Sequence, residues 1–287
     1  MDVASGVPVT GERDGRRTWL VLVSISSVQL GSGFAGRLFD AIGPAGVVMM
    51  RQGGAALVLL AAGRPWRRHR SAREWRTVVA FGLVLAVMNF TFYEAVVRLP
   101  LGIAVTVELL GPLGLAVALS RRGRELVWVG LALAGVVLLS EGGDALDPVG
   151  IAFALGAAVC WATYIPLSRA AGRQSSGIDG LALAMTVAAL VIAPLGLRAG
   201  GALVTPRALG LGALVALLSG LVPFSFELVA LRDVPPRVFG VLMSLSPAAA
   251  TLSGFLLLGE RLTVMQLVAM AMVIVASIAT VRGDRTA

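Results

Sequence analysis

The sequence has no lysine; all 24 basic side chains among its 287 residues are arginine. A phosphate-cradling glycine-rich loop that ends in lysine is therefore missing, and direct ATP drive within this chain is not supported. Cysteine and histidine are scarce as well. Cys160 lies inside an apolar run and His69 lies in RPWRRHRSAREWR, which leaves no set for a disulfide or a metal site. Neither a metal nor a cofactor is expected. Charge is also thin, at 14% of residues against 57% apolar, with a mean hydropathy of +0.88. That balance excludes an ordinary soluble domain and makes the bilayer the solvent of most of the chain. The net charge of +8 comes from arginines set singly or in short clusters between apolar runs. Membrane-helix orientation accounts for them, so nucleic-acid binding is not expected, while anionic lipid heads suit them.

What is present is a series of apolar stretches. A helix crossing hydrocarbon needs about 17–25 mostly apolar residues, because its backbone polar groups must be satisfied internally. Ten stretches qualify or nearly do: 18–38, 41–62, 77–97, 101–119, 126–140, 149–169, 180–198, 208–230, 237–258 and 262–281. The fifth is the shortest. The first is read as a retained helix rather than a cleaved leader. The expected fold is an all-α integral membrane protein of ten transmembrane helices.

Arginines counted on alternate sides of these helices divide unevenly. Eighteen fall on the side of the N-terminus, five on the other, and Arg51 falls within the second helix. Positive loops stay on the cytoplasmic side, so both termini are expected there, in a multi-pass protein of the cytoplasmic membrane. An even number of helices agrees with that placement.

The halves also resemble each other. LPLGIAVTVELLGP (99–112) and VPPRVFGVLMSLSP (234–247) share proline pairs at a shift of 135 residues, Pro100 with Pro235 and Pro112 with Pro247. The same shift aligns Glu125 with Glu260. Five helices per half is an odd number, so matching helices run in opposite directions, as in the inverted repeats of secondary transporters. The expected organisation is a tail (1–17), a first five-helix repeat (18–140), an outer linker loop (141–148), a second repeat (149–281) and a tail (282–287).

An ionised side chain at mid-bilayer costs about 2.5–3.5 kcal/mol on insertion scales, so such residues face a cavity or a partner. Glu108 lies roughly 10 Å into the fourth helix at 1.5 Å per residue, three residues ahead of Gly111-Pro112. It is the first candidate to bind a substrate ammonium or a proton. Arg51 can receive a substrate carboxylate through a bidentate contact, serve as counter-ion to Glu108, or snorkel to the surface. Gln29, Asn89, Ser225 and Tyr164 are polar residues within spans that suit a polar ligand or hold neighbouring helices together. Trp161 can pack against a ligand or against the core. Pro112 and Pro247 are candidate hinges that free backbone carbonyls along a pathway. Glu227 and Glu94 lie near helix ends, where a carboxylate reaches interfacial water cheaply.

QLGSGFAG, MNFTFYEAVVRLPLGIAVTVELLGPLGLA, CWATYIPLSRAAG, VPFSFELVALRDVPPRVFGVLMSLSP and LSGFLLLGERLTVMQLVAMAMV together resemble the drug/metabolite transporter superfamily. The likeness is to its ten-helix EamA-type branch and most closely to bacterial threonine/homoserine exporters, over about residues 20–281. It implies an inner-membrane exporter of amino acids or related small metabolites, driven by protons, with alternating access. Glu227 fits the family pattern in FELVAL. One departure is Ser246 immediately before Pro247, where the family commonly carries glutamate. Export of hydrophobic drugs and a channel-like facilitator remain as alternatives, with a membrane enzyme more remote, since the chain has few of the groups catalysis would use. The oligomeric state is not legible in apolar spans of this kind.

Overall fold

The computed structural model describes residues 18–119, 125–141, 146–174, 178–223 and 236–283. Every regular element among them is helical. They form ten segments in chain order: α1 (Thr18–Gly36), α2 (Phe39–Gly63), α3 (Ala72–Arg98), α4a (Leu101–Glu108) with α4b (Leu110–Leu119), α5 (Glu125–Glu141), α6 (Pro148–Gln174), α7 (Asp179–Gly196), α8 (Pro206–Ala216), α9a (Pro236–Met243) with α9b (Ser246–Ser253), and α10 (Val264–Gly283). Eight spans are long and apolar enough to cross a membrane, and Val127–Leu139 and Pro206–Leu221 are shorter apolar helices. Large apolar side chains such as Leu57, Leu190 and Val264 face outward, as lipid requires of a multi-pass membrane protein.

The ends of the helices follow local chemistry. Helix α3 starts at Ala72, five residues ahead of the apolar run, because Ser71 and Glu74 form a reciprocal capping box. The S-x-x-E pattern was there to be read. Helix α8 starts two residues early for a similar reason: Thr205 accepts from the Ala208 N–H and Pro206 occupies the first turn. It then widens into a π-turn over Leu217–Leu221. Helix α7 continues past its expected end as a 3-10 segment, Leu197–Val204.

Lipid supplies no hydrophobic drive between helices, so close packing and hydrogen bonds hold the bundle. Helix α2 packs on α7, α3 on α6 and α7, α5 on α10, α4a on α9b, and α1 on α8 and α9b. Hydroxyls bridge several crossings: Ser27 Oγ donates to the Leu218 carbonyl at 2.7 Å, Ser253 Oγ to the Gln29 carbonyl at 2.7 Å, and Ser244 and Ser277 pair at 2.7 Å. At one end of the bundle Leu20, Val21 and Ile25 of α1 meet Phe239 and Met243 of α9a, and Val281 lies against Gly240. Thr18 and Gly283 therefore share that end. At the same end Arg70 pairs with Asp179 at 3.4 Å, and Arg68 donates to the Gln174 carbonyl at 3.1 Å, tying the 64–71 loop to α6 and α7.

Candidate substrate cavity

Helix α4 is built to break. Pro112 lacks an N–H, so the carbonyl four residues back, that of Glu108, has no α-helical donor. The helix is interrupted at Leu109, and Glu108 is the last residue of α4a. Gly111 lets this break sit hard against α6, since a Cβ there would fall 2.0 Å from the Ala158 carbonyl oxygen.

The break opens onto a cavity of about 430 Å³ in the centre of the bundle. That volume suits a small ligand. Glu108 reaches it from α4, Arg51 from α2, Asn89 from α3, Gln29 from α1, Trp161 and Tyr164 from α6, and Ser246 and Pro112 from the two broken helices. Sequence reasoning had singled out each of these eight, and the fold brings them to one wall-lined space. Pro247 is buried beside the α9 break but does not line the cavity. Ser225 and Glu227 lie outside the described residues. Glu94 is turned away and pairs with Arg98 at 2.6 Å, near the helix end as expected.

Arg51 is held from two sides. It donates to the Tyr93 hydroxyl at 3.3 Å and to the Ser219 carbonyl at 3.1 Å, with its guanidinium 5.8 Å from the centre of the Tyr93 ring. Tyr93 is itself fully buried between Phe39 and Phe92. Glu108 and Arg51 line the same cavity, but the two do not form a contact ion pair among the described residues. The Arg51 head is turned inward, toward the Tyr93 hydroxyl and the Ser219 carbonyl, rather than toward the surface. Gln29 is 6% exposed and its Oε1 has no hydrogen-bond partner among the described residues. Asn89 spends its Nδ2 on the Leu85 carbonyl of its own helix at 2.8 Å.

Four further residues belong here. Gln52 and Arg169 line the cavity, Ser219 contributes both a lining surface and the Arg51 acceptor, and Tyr93 orients Arg51. Two of them left a helical signal: Tyr93 is four residues after Asn89, and Arg169 is eight after Trp161, so each shares its neighbour's face. Ser219 left none, because it works through a backbone carbonyl.

The cavity runs toward the end that holds Thr18 and Gly283, where Phe239, Gly240, Thr280 and Val281 line it. The other end is closed by a buried layer that includes Leu38, Val47, Tyr93, Leu101 and Ile103, all at or near zero exposure.

The threonine/homoserine exporter RhtA of Escherichia coli (strain K12) is 43% identical over 263 residues, spanning 90% of this chain and 88% of that protein. The EamA-like transporter family matches residues 148–282. The chain belongs to the EamA-like transporter family. The RhtA of Salmonella typhimurium (strain LT2) is 42% identical with the same coverage, and the uncharacterized transporter YwfM of Bacillus subtilis (strain 168) is 26% identical over 73% of this chain and 74% of its own. A crystal structure at 19% sequence identity shares the fold with a TM-score of 0.63, covering 94% of this chain and all of that one. The central cavity is therefore that of a membrane transporter in the drug/metabolite transporter superfamily.

Proposed function

We propose that this chain exports threonine, homoserine and similar small amino acids across the inner membrane, by proton-coupled alternating access between two inverted five-helix halves. The observation that carries this reading is the placement of Glu108 and Arg51 in one cavity without a contact ion pair between them. An α-amino acid carries an ammonium and a carboxylate at once. Its ammonium goes to the Glu108 carboxylate and the adjoining backbone carbonyl freed by Pro112. Its carboxylate goes to the guanidinium N–H groups of Arg51 not spent on Tyr93 and Ser219. Gln29, whose Oε1 has no partner among the described residues, and Asn89 serve the side-chain hydroxyl, with Trp161 and Tyr164 against the apolar part. The substrate itself is proposed from the names of the RhtA relatives.

Coupling follows from a single carboxylate serving two ligands. Glu108 holds either the substrate ammonium or a proton. Release on the far side leaves a carboxylate that takes a proton there, and the neutral site returns to be discharged on the near side. The cycle needs both termini in the cytoplasm, so that the cavity faces the pool to be exported; the arginine asymmetry of the loops supports that orientation. Several features support the inverted halves. The 135-residue shift relates the breaks at Leu109 and Ser244, and the pairs α2 with α7, α4a with α9b and α5 with α10 each join helices five apart. A closed layer at one end is what alternating access requires and what an open channel lacks.

Vesicles preloaded with labelled threonine, homoserine or a hydrophobic cation, with and without a pH gradient, test the proposal. Gradient-dependent efflux of the amino acids that disappears in Glu108→Gln is the expected result. Movement of none of the three would sink the substrate assignment, and movement indifferent to both gradient and mutation would mean a facilitator.

A further inference from the structure

Helix α4a begins with N–H groups that have no helical acceptor, and its N-cap, Pro100, brings no side-chain acceptor of its own. The acceptor comes from 159 residues further along the chain. Glu260, in the turn between α9 and α10, accepts the Leu101 N–H on its Oε2 at 2.9 Å. The turn is fixed in place by the Glu260 N–H, which donates to the Gly254 carbonyl at 3.2 Å. The carboxylate lies where a side chain at position 254 would otherwise stand, since a Cβ on Gly254 would fall 2.0 Å from Oε2. A carboxylate at the positive end of a helix is favoured further by the aligned peptide dipoles. Beside it Gly102 of α4a meets Thr251 of α9b so closely that no Cβ fits between them.

Geometry gives this contact leverage. Leu101 is the first residue of the short helix whose last residue is Glu108, and it belongs to the buried layer that closes the cavity away from Thr18 and Gly283. Other bonds at that end, Arg37 to the Leu257 carbonyl at 3.0 Å and Arg207 to the Arg37 carbonyl at 3.3 Å, tie α1 to α9 and α8 but do not touch α4a. We propose that Glu260 is a positioning residue that latches α4a to the α9–α10 turn, so that its bond to Leu101 must break for the cavity to open at the far end. The proposal rests on the alternating-access reading above. Through the latch, Glu260 sets how the protein divides its time between the two openings, without touching substrate.

The test is thiol accessibility in full-length protein with Cys160→Ala as background. Val47→Cys reports on the closed layer and Ala116→Cys on the cavity wall toward the other end. A membrane-impermeant maleimide is applied to vesicles of each orientation, without substrate. Glu260→Ala is expected to raise labelling of Val47→Cys about tenfold while labelling of Ala116→Cys falls, as a shifted two-state balance demands. Glu260→Gln keeps an acceptor oxygen and is expected to lie between. Unchanged labelling of Val47→Cys would overturn the latch, and so would a rise at both positions, which marks a loosened fold rather than an exchanged opening. Because labelling needs no flux, the two readings fail separately. Absent amino-acid efflux with reciprocal labelling would sink the transport assignment alone; normal efflux with unchanged labelling would sink the latch alone.

Discussion

Helices α4 and α9 break at matching points, and each break is finished in its own way. Under the 135-residue shift Glu108 corresponds to Met243, Gly111 to Ser246 and Pro112 to Pro247. Both prolines deprive the carbonyl four residues back of its helical donor. In α9 the loss is repaired at once, because Ser246 Oγ donates to the Met243 carbonyl at 2.7 Å. In α4 the residue before the proline is Gly111, which has no side chain to offer such a cap, and the carboxylate of Glu108 lines the cavity at that break. One break is sealed and lined by a thioether; the other presents oxygen to the cavity. The difference teaches that two breaks of the same local build can carry different chemistry, a carboxylate on the cavity at one and a thioether at the other. It also gives Ser246 a structural role, as a local cap.

The largest way to break this comparison is to take the chemistry from α4. Glu108→Gln keeps the size and removes the charge, and gradient-driven amino-acid efflux is expected to fall to background while thermal unfolding in detergent changes little. If efflux survived, the two breaks would be equivalent hinges. Next comes Gly111→Ala. Its Cβ would sit 2.0 Å from the Ala158 carbonyl oxygen, and overpacking of this kind costs about 1–3 kcal/mol. A lowered melting temperature together with lost transport is expected. Arg51→Lys is milder. It keeps a positive charge but loses the planar fork that reaches Tyr93 and Ser219, so the concentration of threonine needed for half-maximal efflux should rise about tenfold with the maximal rate less affected.

Much of this was legible beforehand, and the reason differs residue by residue. Apolar length announces a span because lipid permits no other solution, so the ten segments stood in plain view. Glu108 and Arg51 were legible because charge at mid-bilayer is costly and seldom idle. Element ends were less so: Ala72 precedes the apolar run because capping, rather than hydropathy, starts α3. Ser219 could not be found, since what it gives Arg51 is a carbonyl that every residue has. Glu260 was visible only as the partner of Glu125 in a repeat, because its acceptor role depends on Leu101 being brought to it across 159 residues.

The smallest expected effect sharpens the comparison most. Ser246→Ala leaves Pro247 and the cavity volume nearly as they are and removes only the hydroxyl that caps the Met243 carbonyl. The loss of one such bond is worth about 0.5–1.5 kcal/mol. If α9 is merely sealed at its break, the variant unfolds slightly earlier and transports threonine with unchanged proton coupling. If α9 shares the work of α4, exposing the Met243 carbonyl to the cavity gives a second oxygen site facing Glu108, and the pH dependence of efflux shifts. An unchanged pH profile with a small stability loss is the expected outcome, because a freed carbonyl without a carboxylate beside it offers a cation too little to compete.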